Sequence, residues 1–232
     1  MNTEESAHQR QIIADNIGVL RNRIAVACDK SHRPVSDVKI IAVTKNVSAS
    51  MVRIAYANGL RDFGENRIQE AVKKFAELRD IRSDIALHLV GHLQTNKAKD
   101  ALDAFDIIHS LDSLKLAEQL NSRATMKAQT LLQVNIANEA TKHGFSGEEV
   151  VSAIASIGTL PNIEIRGLMT IAPIAADPEE VRPVFANLRR IKESLGLIDL
   201  SMGMTDDFQV AIEEGATMVR IGRAIFGERR FL

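Results

Sequence analysis

Apolar residues recur along the chain in two alternating rhythms. Short runs of β-branched and aliphatic residues are separated by stretches in which apolar positions return every three or four residues. The first rhythm belongs to strands buried on both faces, the second to amphipathic helices. The clearest run is VKIIAVTK at 38–45, with Ile40, Ile41, Ala42 and Val43 at its centre and Lys45 at its end. Ahead of it, Ile12, Ile13, Ile17, Leu20, Ile24 and Cys28 predict a helix over 4–28. Beyond it the pattern predicts a helix over 50–58 closed by Asn58-Gly59, a strand at 60–63, and a helix opened by Gly64-Glu65-Asn66 that runs to about 79.

The alternation persists to the end of the chain. Strands are expected at 85–90, 106–109, 130–136, 163–170, 198–201 and 217–221. Helices are expected at 95–103, from Asp112 or Ser113 to about 125, and at 147–157, 178–195, 206–214 and 223–226. Eight strands, each followed by helical pattern, imply an α/β chain folded as one (β/α)8 TIM-type barrel over 1–232, with an extra N-terminal helix in 1–35 packed on it. A doubly wound open sheet is the competing arrangement, but no glycine-rich dinucleotide turn follows the first strand.

Composition narrows the picture. With 4% aromatic residues, no Trp and one Tyr, the core must be aliphatic. A net charge of −1 gives no global field for nucleic acid. The single cysteine, Cys28, allows no internal disulfide and suits a reducing compartment. The polar start MNTEESAHQR carries no signal core, and no apolar run is long enough for a bilayer, so a cytoplasmic, membrane-free protein is expected.

Barrels of this type carry their chemistry on the loops after the strands, with phosphate commonly held after strands 7 and 8. Here those loops read Ser201-Met202-Gly203-Met204-Thr205 and Arg220-Ile221-Gly222-Arg223. They can cradle a phosphate through backbone amides and hydroxyls, or serve only as turns with Thr205 or Asp206 as a helix cap. Lys45 likewise reads either as a solvated strand end or as an amine, desolvated along its stem, that forms a Schiff base. An aldehyde-reactive lysine and a phosphate cradle are neighbours around a closed barrel. One ligand needs both: pyridoxal 5′-phosphate. Arg220 could then face the pyridine nitrogen and keep it unprotonated, which weakens the ring as an electron sink.

A set of ordered motifs carries a resemblance as well: AVTK (42–45), FGENRIQE (63–70), HLVGHLQTNK (88–97), HSLD (109–112), QVNIANEATKHGF (133–145), GLMTI (167–171) and the stretch 200–227. From about 38 to 227 the chain resembles the pyridoxal phosphate homeostasis proteins, single-domain relatives of the barrel domain of bacterial alanine racemase. The resemblance implies Lys45 as the Schiff-base lysine, Ser201, Gly222 and Arg223 at the phosphate, and Arg220 at the pyridine nitrogen; the loop reading adds the Thr205 hydroxyl to the phosphate set. Asn66, His92 and Met169 would line the cofactor face, with Lys142 as a second amine near its mouth. Arg67, Leu87 and Arg223 depart from the usual family pattern; Arg223 stands where a Thr is usual, so a hydroxyl contact to phosphate is lost.

Other candidates read as structure. His88 and His92 lie four apart on a strand and its loop without a carboxylate to complete a metal set, so no metal is expected. Glu139 and Lys142, in a loop that also holds Asn138, are either a solvated pair or ligand contacts. Lys73, Lys74, Arg189 and Arg190 read as solvated helix faces.

The family resemblance implies a carrier or regulator without committed turnover; a monomer is expected, with apo pyridoxal-phosphate enzymes as acceptors. Two enzymes compete with that reading: an amino-acid racemase and a lysine Schiff-base enzyme acting on sugar phosphates. Racemisation needs a base on each face of the carbanion, and the sole tyrosine, Tyr56, falls inside the first barrel helix, with nothing after Leu232 to build a second domain.

Overall fold

Eight parallel strands close on themselves in the order β1 to β8, which settles the choice between barrel and open sheet. They are β1 (Lys39–Val43), β2 (Asp62–Glu65), β3 (Ala86–Leu89), β4 (Ile107–Leu111), β5 (Ala128–Gln133), β6 (Ile163–Met169), β7 (Asp199–Ser201) and β8 (Met218–Ile221). Closure comes from the pairing of β1 with β8, Ile41 opposite Arg220 and Ala42 opposite Ile221. The structure is a computed structural model that describes residues 3–137, 139 and 142–227; Asn138 and residues 228–232 lie outside them. Among the described residues no helix is long and apolar enough to cross a membrane.

The helices are α1 (Thr3–Lys30), α2 (Ala49–Ala57), α3 (Ile68–Ala76), α4 (Ala98–Ala104), α5 (Leu114–Arg123), α6 (Val150–Ile157), α7 (Arg182–Ser194), α8 (Phe208–Glu213) and α9 (Arg223–Phe226). α1 packs against α2, α8 and α9. Its stripe of Ile13, Ile17, Leu20, Ile24, Ala27 and Cys28 is buried. Polar ties fix its angle: Asn16 donates to the Ile225 carbonyl at 3.0 Å, Arg21 to Asn58 O at 2.9 Å, and Arg23 to Gln209 at 2.6 Å.

Strand alternation divides the apolar residues between two cores. Ala42, Phe63, Leu87, Leu89, Ile108, Leu132, Leu168, Leu200 and Val219 join the large core between sheet and helices. Ile41, Val90, Leu131, Met169 and Met218 form a small separate cluster with Val43 inside the barrel. This explains the unbroken apolar strands: both faces are buried, in different places.

Two sequence expectations fail here for a local reason. The cap of α2 uses Gly59 at φ 86° and returns the Leu60 N–H to the Ala55 carbonyl at 3.2 Å. That spends Leu60 on the cap, so β2 begins at Asp62 rather than 60. Gly64 and Glu65 therefore end a strand instead of opening a helix, and α3 starts at Ile68. The shift puts Asn66 at the barrel mouth. Between β4 and its helix, Ser113 is the cap, accepting from Leu116 N at 3.3 Å, which leaves Asp112 free for another bond.

Candidate functional site

Lys45 follows β1 by two residues, and period-two continuation puts it on the side of Ile41 and Val43, toward the barrel axis. It is half-buried, and among the described residues its amine has no hydrogen-bond or ion-pair partner. Its neighbours on both sides are clamped. Lys74 Nζ donates to the Thr44 carbonyl at 2.5 Å, and the Asn46 N–H donates to Glu70 at 2.6 Å, with Asn46 in the left-handed region at φ 59°. Lys74 also pairs with Glu65 at 2.6 Å and Glu70 at 3.1 Å, and Thr44 Oγ1 donates to Glu65 at 2.7 Å.

Lys74 is thus not a solvated helix residue. It is 7% exposed and its Glu65 partner 0%. Burial raises the Glu65 carboxyl, and Lys74 opposes the rise. The signal was present in the sequence, because Lys74 falls on the apolar stripe of Ile68, Ala71 and Phe75. Lys73 and Arg190 are exposed as expected, whereas Arg189 is half-buried and reaches Glu214 at 3.2 Å.

Ser201, Arg220 and Met169 come together inside the barrel. Arg220 donates from Nη1 to Ser201 Oγ and to the Ser201 carbonyl, both at 2.7 Å, and from Nη2 to the Thr170 carbonyl at 2.7 Å. Met169, fully buried, is in register with Ser201. Arg220 is buried, yet among the described residues no carboxylate lies at ion-pair distance; burial pushes its guanidinium down to about 10, opposed by the Asp207 charge.

The loops after β7 and β8 form the adjoining rim. Gly203 has φ 90°, and a Cβ there would meet the Ala211 Cβ at 2.6 Å, so only glycine fits. Gly222 faces the end of β1, where an added Cβ would lie 3.3 Å from the Val43 carbonyl. Thr205 is half-buried on this rim. Arg223 reaches across the two loops to both Asp206 oxygens at 2.6 Å. The cap of α8 is Asp207, not Thr205 or Asp206.

Asn66 and His92 line a second part of the mouth, a cavity of about 250 Å³ shared with Gln133, Asn135, Lys142 and His143. Lys142, which lines the cavity, is bonded to Glu139 at 2.5 Å and to the carbonyls of Ile171 and Ala172 at 3.3 and 3.2 Å. The fold also supplies the carboxylates that the spacing of His88 and His92 did not reveal. His92 Nδ1 meets Asp112 at 2.9 Å and its ring stacks on His143 at 3.9 Å, while His88 Nε2 meets Asp62 at 3.0 Å. Tyr56 lies elsewhere: it donates to Asp84 at 2.6 Å on the outside of the barrel, under Arg61.

A free amine, a buried unpaired guanidinium and a glycine-lined rim thus share one barrel mouth. The chain belongs to the family of the alanine racemase N-terminal domain, whose family model matches residues 16–230. Within it, the chain is similar to proteins named pyridoxal phosphate homeostasis protein. It is 41% identical to that of Aquifex aeolicus, over 90% of this chain and 95% of the relative. It is 42% identical to that of Pseudomonas aeruginosa, over 94% and 96%. The structure of PipY from Synechococcus elongatus PCC7942 with PLP bound superposes with a TM-score of 0.81, at 39% identity over 93% of this chain and 100% of that one. Alanine racemase of Corynebacterium glutamicum shares the fold alone, with a TM-score of 0.73 at 20% identity and 61% of that chain covered.

Proposed function

We propose that this protein binds pyridoxal 5′-phosphate reversibly at the barrel mouth and serves its homeostasis as a carrier and buffer. The carrying observation is the Lys45 amine just past β1, without a partner among the described residues, at the seam where β1 pairs with β8 and its buried Arg220. Similarity to PipY, solved with PLP bound, supports the same ligand here. The group supplies an aldehyde at one end and a phosphate at the other. Lys45 provides the amine for the aldehyde. Ser201, Thr205, Gly222 and Arg223 hold the phosphate, Arg220 donates to the pyridine nitrogen and keeps a proton off it, and Asn66, His92 and Met169 line the ring face. Arg223 contributes by leaving Asp206 or by its backbone amide.

We assign no committed catalysis to this site. Racemisation needs a second base opposite Lys45, and Tyr56 is engaged with Asp84 on the outer surface. The protein acts in the cytoplasm as a monomer, with apo enzymes that use the same cofactor as acceptors. Incubating the loaded protein with L- and D-alanine in deuterated water tests this: no optical inversion is expected, and inversion at enzyme-like rates that Lys45→Ala abolishes would establish a racemase.

The phosphate contacts dominate affinity in this reading. Equilibrium dialysis will show pyridoxal bound more weakly than its phosphate ester. Ser201→Ala will weaken the ester by about tenfold or more, the loss of one charge-assisted bond of about 1.5–3 kcal/mol. Equal affinities for the two ligands would remove the phosphate from Ser201.

A further inference from the structure

We propose that phosphate binding at Ser201 is coupled to uptake of one proton at the opposite end of the barrel, through a hydrogen-bonded chain of His109, His88 and Asp62. The inference rests on the reading of Ser201 as a phosphate ligand. Ser201 Oγ lies 2.8 Å from His109 Nδ1, His109 Nε2 lies 2.8 Å from His88 Nδ1, and His88 Nε2 lies 3.0 Å from Asp62. Ser201, His88 and His109 are all 0% exposed.

The two ends set the direction of the chain. Arginine only donates and a carboxylate only accepts. With one proton on each imidazole, His88 donates through Nε2 to Asp62, His109 donates through Nε2 to His88, and Ser201 accepts from Arg220 and donates to His109 Nδ1. Burial, and with it the charges of Arg220 and Lys39, holds His109 well below the usual histidine range. Burial raises the Asp62 carboxyl, but its contacts with His88 and Lys39 leave it below the usual carboxylate range.

In that arrangement the Ser201 hydroxyl has no proton left for an anion. Once it turns to a phosphate oxygen, His109 Nδ1 would face Ser201 Oγ lone pair to lone pair, between groups with no solvent exposure. The remedy moves no heavy atom. His109 takes its proton on Nδ1 and donates to Ser201, His88 Nδ1 donates to His109 Nε2, and His88 keeps its Nε2 proton on Asp62. The free chain holds three such protons, one each on Ser201, His109 and His88. The bound chain holds four, because His88 now carries two. The added proton comes from solvent at the N-terminal end of the barrel, where Asp62 keeps 16% side-chain exposure beside Lys39 at 3.2 Å. Lys39 lines a cavity of about 770 Å³ there, shared with the Arg166–Asp199 pair of β6 and β7. The other charged groups facing the chain are Arg220 and, beyond it, Asp207.

The test is calorimetric titration of the apo protein with pyridoxine 5′-phosphate, whose missing aldehyde leaves Lys45 chemistry out of the proton count. It is run at pH 8, where the phosphate is a dianion, in two buffers of different ionisation enthalpy. The heats will differ by about one proton taken up per ligand, and affinity will fall about tenfold per pH unit over that range. In Asp62→Asn the amide can face His88 with either its oxygen or its NH2, so the chain can reverse without an added proton. That variant will bind with buffer-independent heats and a flat pH profile. Buffer-independent heats in the unmodified protein with binding intact would overturn the relay, as histidines that only fill space predict, and leave the phosphate reading standing. Failure of the ester to bind at all would overturn that reading, and the relay with it.

Discussion

Lys74→Met will lower the unfolding free energy by about 3–5 kcal/mol, the cost of removing one partner from a buried ion pair. Glu65 has no exposure, and its second oxygen, Oε2, already has no partner among the described residues. Without Lys74 the carboxylate keeps only the Thr44 hydroxyl, and the Thr44 carbonyl loses its 2.5 Å donor. Adding Glu65→Leu will restore much of the loss, since replacing both members of a buried pair by apolar groups is often neutral. Denaturant unfolding of the single and double variants measures both. A single-variant loss below about 1 kcal/mol, the range of surface pairs, would mean that the pair is solvated after all. The function follows from the same contacts, because Thr44 precedes Lys45 and Lys74 fixes its carbonyl.

Gly167→Ala will cost about 3 kcal/mol or more, at the upper end of overpacking effects, or prevent folding. A Cβ there would lie 1.9 Å from the Asp199 carbonyl oxygen and 2.8 Å from its Cα. No side chain can rotate out of the way, because the obstacle is the backbone of β7. That strand has only three residues, Asp199–Ser201, so a displacement at Asp199 reaches Ser201 directly. Gly18→Ala is the contrast: it lies within α1 with nothing within 4 Å, and will be neutral or stabilising by up to about 1 kcal/mol. Thermal unfolding of the two variants side by side checks the pair; similar behaviour would refute the close approach of β6 and β7.

The rhythm of apolar residues was enough to reveal eight strand–helix units, because double burial makes each strand a continuous apolar run. It failed where local and distant interactions compete. At Leu60 a helix cap claimed a residue that reads as strand, and Gly64-Glu65-Asn66 moved with it. Lys74 was misread because its partner lies on another element, although a lysine on an apolar stripe is itself a sign that a buried carboxylate is near. The chain from Asp62 to Ser201 was invisible for a stronger reason. Its members stand on four different strands, and only closure of the barrel brings His109 to Ser201, 92 positions away in sequence. Polar residues at strand centres, His88 and His109, were the only hint. Lys45 and Arg220 stand out in the sequence because they fall just past and near strand ends, where this fold holds its chemistry.

The most direct test of the proposed function is borohydride reduction of the protein after incubation with pyridoxal 5′-phosphate, followed by peptide mass mapping. The amine of Lys45, half-buried and without a partner, predicts a single pyridoxyl group on the peptide that contains Lys45, and no such label in Lys45→Ala. A label on Lys142 with Lys45 unmodified, or a label spread evenly over surface lysines, would contradict it.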